Sequence, residues 1–165
     1  MEFSMETGKV IDIRRISHLL KVYGFAKAIG EKEQLDLFTM ECLETAAVLH
    51  DIGIKISEEK YQSSAGKYQE LEGPPVAAVI LKKLEFPAPV TERVAYLIGH
   101  HHTYDKIEGM DYQILVEADF LVNINEDGLD SSKQGLDSIR KIKENIFKTK
   151  TGTKILESIY LSKVN

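Results

Sequence analysis

The sequence is poor in the residues that build covalent or thiolate frameworks. Cys42 is the single cysteine among 165 residues, so the chain can form no disulfide with itself and no zinc site made of several thiolates. It lies in an apolar stretch, which favours a packing role over that of a nucleophile. The chain also lacks an apolar run near the ~20 residues that cross a bilayer, so no membrane partner is expected.

Positive charge is also scarce. The 21 lysines and arginines are outnumbered by 26 acidic residues, the net charge is −5, and no basic block occurs. This balance argues against a nucleic-acid partner bound along its backbone, although a local cationic pocket for one phosphate stays compatible with it. Acidic residues stand near the N-terminus where a secretory signal has basic ones, which predicts a leader over 1–9 and a cytoplasmic location.

What is present is typical of one globular domain. Hydrophobic residues make up 43% of the chain and charged residues 28%, and the length suits a single sizeable core. Internal repeats, low-complexity tracts and sustained strand-like alternation are missing. We therefore predict an all-α, single-domain bundle of about seven or eight helices. It would span 10–165, with a core over about 10–124 and C-terminal helices over 134–163.

Apolar residues recur with helical period along most of this span. The first helix is predicted to end at Gly30. The polar segment 54–73 is predicted to be a loop, with a short helix from about Ser57, that covers a neighbouring site as a lid. Pro74-Pro75 is expected to open the next helix, because proline suits a first turn. The predicted helices cover about 10–29, 35–51, 74–84, 90–102, 112–123, 136–147 and 153–162.

The stretch CLETAAVLHDIG organises these patterns. The spacing from Leu43 through Ala46 to His50 places the imidazole on the buried stripe of its helix. Asp51 follows directly, and the helix is expected to stop by Gly53. Two adjacent polar side chains at the buried end of a helix need partners, because an unpaired buried polar group is costly.

Two more polar residues interrupt apolar stripes. His18 lies on the inner face of the first helix, and Asp119 interrupts the run ILVEADFLVN. Taken singly, each is more often a hydrogen-bonded core residue than a ligand. Together with His50 and Asp51 they form a set of two imidazoles and two carboxylates, which suits a divalent ion. The set does not choose among manganese, iron, nickel, zinc and magnesium.

Three consecutive histidines end the helix predicted over about 90–102. Consecutive residues of a regular helix diverge, so they cannot all bind one ion. The stripe that includes Val94 turns His101 inward. His102 would lie beside the ligands or face a substrate, and His100 would be exposed or contact the helix end.

These residues resemble the pattern of the HD-domain phosphohydrolases, in which a helical histidine precedes a His-Asp doublet and a later aspartate. Here the pattern reads His18, His50-Asp51 and Asp119. The segments ILKKLEFPAPVTERVAYLIGHHH and ILVEADFLVN are also similar to family segments. The resemblance implies an all-helical fold and a divalent metal held by those four residues. It further implies hydrolysis of a small phosphate ester, often a nucleotide, by a metal-activated water.

Some HD proteins hold two ions by means of two extra histidines. The resemblance implies that His101 is the second of these histidines. The first is absent, and Gln69, Glu70 and Glu72 stand in its segment. Glu72 would replace it as a ligand, act as a base, or merely cap the Pro-Pro helix. One ion or two therefore stays open. The candidate catalytic residues are Asp51, His101 and Glu72.

Candidate substrate contacts are Arg15, Lys55 and His102, although a solvated lysine is the more frequent alternative for Lys55. The sequence HDIGIK also differs from the HDIGK of the cyclic-di-GMP phosphodiesterase subgroup. Three readings stay open: a phosphomonoesterase or phosphodiesterase, a non-catalytic metal- or nucleotide-binding regulatory module, and a plain helical scaffold. The predicted C-terminal helices can pack either on the core or on a partner, so the sequence does not decide whether the chain forms a homo-oligomer.

Overall fold

The computed structural model describes residues 3–4 and 10–162. Two short strands, β1 (Phe3–Ser4) and β2 (Val10–Ile11), pair antiparallel. The rest of the predicted leader, residues 1–2 and 5–9, lies outside the described residues. Eight α-helices follow in the described part: α1 (Ile13–Lys32), α2 (Leu37–Leu49), α3 (Ile54–Tyr61), α4 (Gly66–Lys83), α5 (Ala88–Ile98), α6 (Met110–Glu126), α7 (Lys133–Ile146) and α8 (Lys150–Leu156).

The predicted all-α class is confirmed, and α6 is the centre of the bundle. Nearly every residue of α6 from Asp111 to Ile124 is buried. The helices α1 and α2 pack against α6 and against each other, while α5 packs against α2 and α4. Within the residues that are described, no helix is both long and apolar enough to cross a membrane.

The first helix continues past Gly30, where it was predicted to end. Gly30 packs against α2 so closely that an added Cβ would lie 2.7 Å from Met40 Sδ. The glycine therefore permits helix contact rather than terminating the helix. The buried stripe of α1 includes His18, Val22, Ala26 and Ile29, whereas Leu20 is 63% exposed.

The prediction that Pro74-Pro75 opens a helix is wrong, because both prolines lie inside α4. The buried stripe of α4 continues on both sides of the prolines, with Gly73 before them and Ala77 after them. Pro74 also packs against Gly99, where an added Cβ would lie 3.1 Å from Pro74 Cγ. Tertiary packing of α4 on α5 thus outweighs the loss of two backbone donors.

The lid-like loop predicted within 54–73 is not observed, although the short helix predicted from about Ser57 is present as α3. The helices α3 and α4 occupy most of this segment, and residues 62–65 connect them. Its polar side chains bond to one another instead: Glu72 accepts from Lys60 Nζ at 2.7 Å and from the Tyr61 hydroxyl at 2.8 Å. The Tyr61 ring stacks on Tyr68 with centroids 4.2 Å apart.

The C-terminal helices are joined to α6 by a buried carboxylate. Glu117 is 0% exposed and accepts hydrogen bonds from Gln113 Nε2 and from the backbone N–H groups of Lys148 and Thr149, each within 2.8 Å. A Cβ at Gly152 would overlap this carboxylate, so glycine is required there. Glu117 therefore fixes where α8 begins relative to the core.

Replacing Glu117 with alanine should lower the free energy of unfolding by about 3 kcal/mol, because it leaves buried backbone donors without an acceptor. Urea denaturation at pH 7 measures the change. Glu92→Ala, at an exposed position of α5, is the control and should stay within about 0.5 kcal/mol of wild type. Equal stabilities for both variants would contradict this role of Glu117.

Candidate metal centre

His18 lies on the inner face of α1 and contacts acidic groups through both ring nitrogens. Its Nε2 atom is 3.2 Å from Asp119 Oδ1 and 3.5 Å from Asp51 Oδ2. Its Nδ1 atom is 2.8 Å from Glu126 Oε2, and a carboxylate can only accept, so Nδ1–H donates. The ring therefore directs Nε2 towards the two aspartates.

His50 reaches the same point from the end of α2. The chain leaves the helix at this residue, and the imidazole is 0% exposed. Its Nδ1–H donates to the Ala47 carbonyl at 2.9 Å, which directs Nε2 towards His18 Nε2, 3.3 Å away. Asp51 follows in the turn, with Oδ1 3.6 Å from His50 Nε2.

Asp119 completes this arrangement from α6. Its Oδ1 atom lies 3.6 Å from His50 Nε2 as well as close to His18. Asn123, one turn further along α6, donates from Nδ2 to the same oxygen at 2.9 Å. The amide thus fixes the orientation of the aspartate.

The turn after α5 adds two more imidazoles. His101 is 1% exposed, donates from Nδ1 to the Ile98 carbonyl at 2.8 Å, and places Nε2 3.7 Å from Asp51 Oδ1. The histidines lie in a turn rather than in the predicted helix, so His102 can lie beside the cluster as well. Glu70 of α4 holds this turn by accepting from His102 N at 2.9 Å and from Thr103 Oγ1 at 3.0 Å.

The charges of the cluster are strongly coupled. Burial alone would raise the pKa of Asp119, but hydrogen bonds and charge from His18 and His50 lower it well below its usual value. Burial alone would lower the pKa of His50, but the carboxylates of Asp51 and Asp119 raise it to about 9. Burial lowers the pKa of His102 to about 4, so that ring is neutral at pH 7.

These residues fit a divalent cation. The Nδ1–H bonds of His18, His50 and His101 fix tautomers whose Nε2 lone pairs point at one another and at carboxylates. Nε2 of His101 and of His102 are buried with no hydrogen-bond partner among the residues described. Ligand atoms from His18, His50 and Asp51 lie within 4.8 Å of one another, and so do atoms from Asp51, His101 and His102. A cation at each group would satisfy its lone pairs.

Three of the predicted site residues lie outside this cluster. Glu72 binds Lys60 and Tyr61, as described above. Arg15 contacts both carboxylate oxygens of Glu58 in α3, at 2.8 and 2.9 Å. Lys55 is exposed on α3.

Asn123 and Glu126 were not among the predicted site residues, and Glu72 was selected in place of its neighbour Glu70. Asn123 and Glu126 follow Asp119 by four and seven residues, so all three share one face of α6. That spacing is a signal the sequence contains. The contact of Glu70 depends on α4 extending across the segment that was predicted as a loop.

A family model described as the HD domain matches residues 15–151, most of the chain. The chain therefore belongs to the HD domain family, as the resemblance of its motifs indicated. This family belongs to the superfamily of HD-domain metal-dependent phosphohydrolases. Neither the curated proteins nor the solved structures contain a significant match to the chain.

Asp51→Ala should weaken binding of Mn²⁺ by more than about 100-fold, because both Asp51 oxygens face imidazoles of the cluster. Loss of a group that only supports a ligand weakens binding by up to about 100-fold, and loss of a ligand itself should cost more. Isothermal titration calorimetry on protein treated with a chelator measures it. His100→Ala is the control, since His100 donates to the Tyr96 carbonyl at 2.7 Å, and it should bind like wild type. Wild-type affinity in Asp51→Ala would contradict the assignment.

Proposed function

We propose that this protein is a metal-dependent phosphohydrolase that cleaves small phosphate esters, with nucleotides as the substrate class. The observation that supports it best is the convergence of imidazole nitrogens and carboxylates from α1, α2, α6 and the turn after α5. These elements are far apart in sequence, and each directs a nitrogen or oxygen atom that can bind a metal towards the same region. Family membership supports the same reaction class.

The residues that would hold the first ion are His18, His50, Asp51 and Asp119. The second group, Asp51 with His101 and His102, would hold another. Asp51 belongs to both because Oδ2 faces His18 while Oδ1 faces His50 and His101. When bound, a divalent ion supplies an acidic water and a positive charge that polarises a phosphoryl oxygen.

The protein's own groups would prepare the attack on phosphorus. Asp119 stays ionised, and Asn123 fixes its orientation, so its charge balances the cation. With one ion bound, Asp51 would orient the attacking water and His101 would accept its proton at Nε2. With a second ion bound, that nitrogen would be a ligand instead. Glu72 has no part in this scheme because its carboxylate is already bonded to Lys60 and Tyr61.

Substrate contacts would come from the rim of the cluster. His102 is neutral, and its buried Nε2 has no partner in the described part of the chain. With one ion bound, this nitrogen would donate to the phosphate ester instead of binding a metal. Burial and the nearby charges of Asp119 and Glu70 raise the pKa of Tyr104 to about 12, which keeps its hydroxyl a donor. Arg15 would reach a phosphate only after leaving Glu58.

A substrate screen tests the proposal. We expect purified protein with Mn²⁺ to hydrolyse at least one member of a panel of nucleoside monophosphates, cyclic nucleotides, deoxynucleoside triphosphates and p-nitrophenyl mono- and diesters. Chelator should abolish turnover, and Asp51→Ala should show only background.

His101→Ala should lower kcat by about 10²–10⁴-fold, the usual contribution of a general base. His100→Ala is again the matched control and should keep wild-type turnover. A protein that binds Mn²⁺ and nucleotides tightly yet hydrolyses no compound of the panel would instead be the regulatory module.

A further inference from the structure

We propose that Glu126 is a positioning residue that holds His18 in the orientation and tautomer needed to bind the ion. The inference rests on the proposed metal centre, and it goes further by assigning a role to a residue outside the ligand set. Glu126 is the last residue of α6, and its carboxylate bonds to His18 Nδ1 across the contact between α1 and α6.

His18 needs such a partner because of its place in the chain. His50 and His101 follow their helices, where nearby carbonyls, those of Ala47 and Ile98, accept their Nδ1–H. His18 instead lies in the first half of the continuous helix α1, where carbonyls serve the helix itself. Its Nδ1–H bonds to an acceptor supplied by another helix.

The helix α6 supplies groups to both sides of the His18 ring. Asp119 and Glu126 are two turns apart on one face of α6, and they meet the ring at Nε2 (3.2 Å) and Nδ1 (2.8 Å) respectively. Lys21, one turn after His18 on α1, binds the second oxygen of Glu126 at 3.0 Å. The carboxylate is thus held from two sides, which fixes the direction in which it accepts.

A carboxylate behind a ligating imidazole has a recognised effect. It fixes the ring orientation and raises the basicity of the opposite nitrogen, and losing it weakens metal binding about 10–100-fold. Among His18, His50 and His101, His18 is the one whose Nδ1–H bonds to a charged group. Glu126 therefore strengthens the ligand that would otherwise be the least constrained.

Calorimetric titration with Mn²⁺ tests this, since it needs no substrate. Glu126→Ala should raise the Kd by about 10–100-fold. Glu126→Gln keeps an oxygen acceptor without the charge and should lose less. Glu31→Ala is the matched control, because it also removes one negative charge and an ion pair, with Lys27 at 3.1 Å, but away from His18. It should keep the wild-type Kd within about twofold, since a distant exposed charge is screened.

A second readout separates positioning from plain stabilisation. The metal-free midpoint of thermal unfolding of Glu126→Ala should fall by only a few degrees, about the cost of one part-buried hydrogen bond. The rise in midpoint on adding Mn²⁺ should shrink. A lower metal-free midpoint with an unchanged Kd would overturn the proposal. If wild type itself binds no ion, the metal centre falls and the role of Glu126 with it.

Discussion

The Nε2 atoms of His18 and His50 lie 3.3 Å apart in the protein interior, with the carboxylates of Asp51 and Asp119 beside them. Two nitrogen lone pairs so close to anionic oxygens require positive charge between them. A proton can supply it, which agrees with the raised pKa of His50. A divalent cation would supply more charge and could bind both nitrogens and both carboxylates at once.

The bundle fixes these side chains through hydrogen bonds, which for the imidazoles go to the nitrogens that face away from the cluster. Backbone carbonyls accept from the Nδ1–H groups of His50 and His101, while side chains on one face of α6 bond to His18 and Asp119. Asn123 orients Asp119, and Glu126 orients His18. At the other side of α6, Glu117 joins the C-terminal helices to the core. A single buried helix thus links the stability of the fold to the geometry of the site.

Much of this could be predicted from the sequence because helical phase is a local property. The stripe positions of His18, His50 and Asp119, with the doublet partner Asp51, predicted a common cluster, and the structure brings them together. The segment 54–73 could not be predicted, since packing on α5 keeps α4 continuous through Pro74-Pro75. Because no helix was predicted across this segment, the direction in which each of its acidic side chains points was unknown. Glu72 was therefore predicted as a site residue, although Glu70 is the one that contacts the histidine turn.

The central claim is that the cluster holds a divalent ion, and a crystal grown with Mn²⁺ tests it most directly. An anomalous difference map should show a peak among the side chains of His18, His50, Asp51 and Asp119, with Nε2 as the ligating atom of both imidazoles. A map without a peak there at saturating Mn²⁺, or with a water molecule hydrogen-bonded to these groups in its place, would contradict the account.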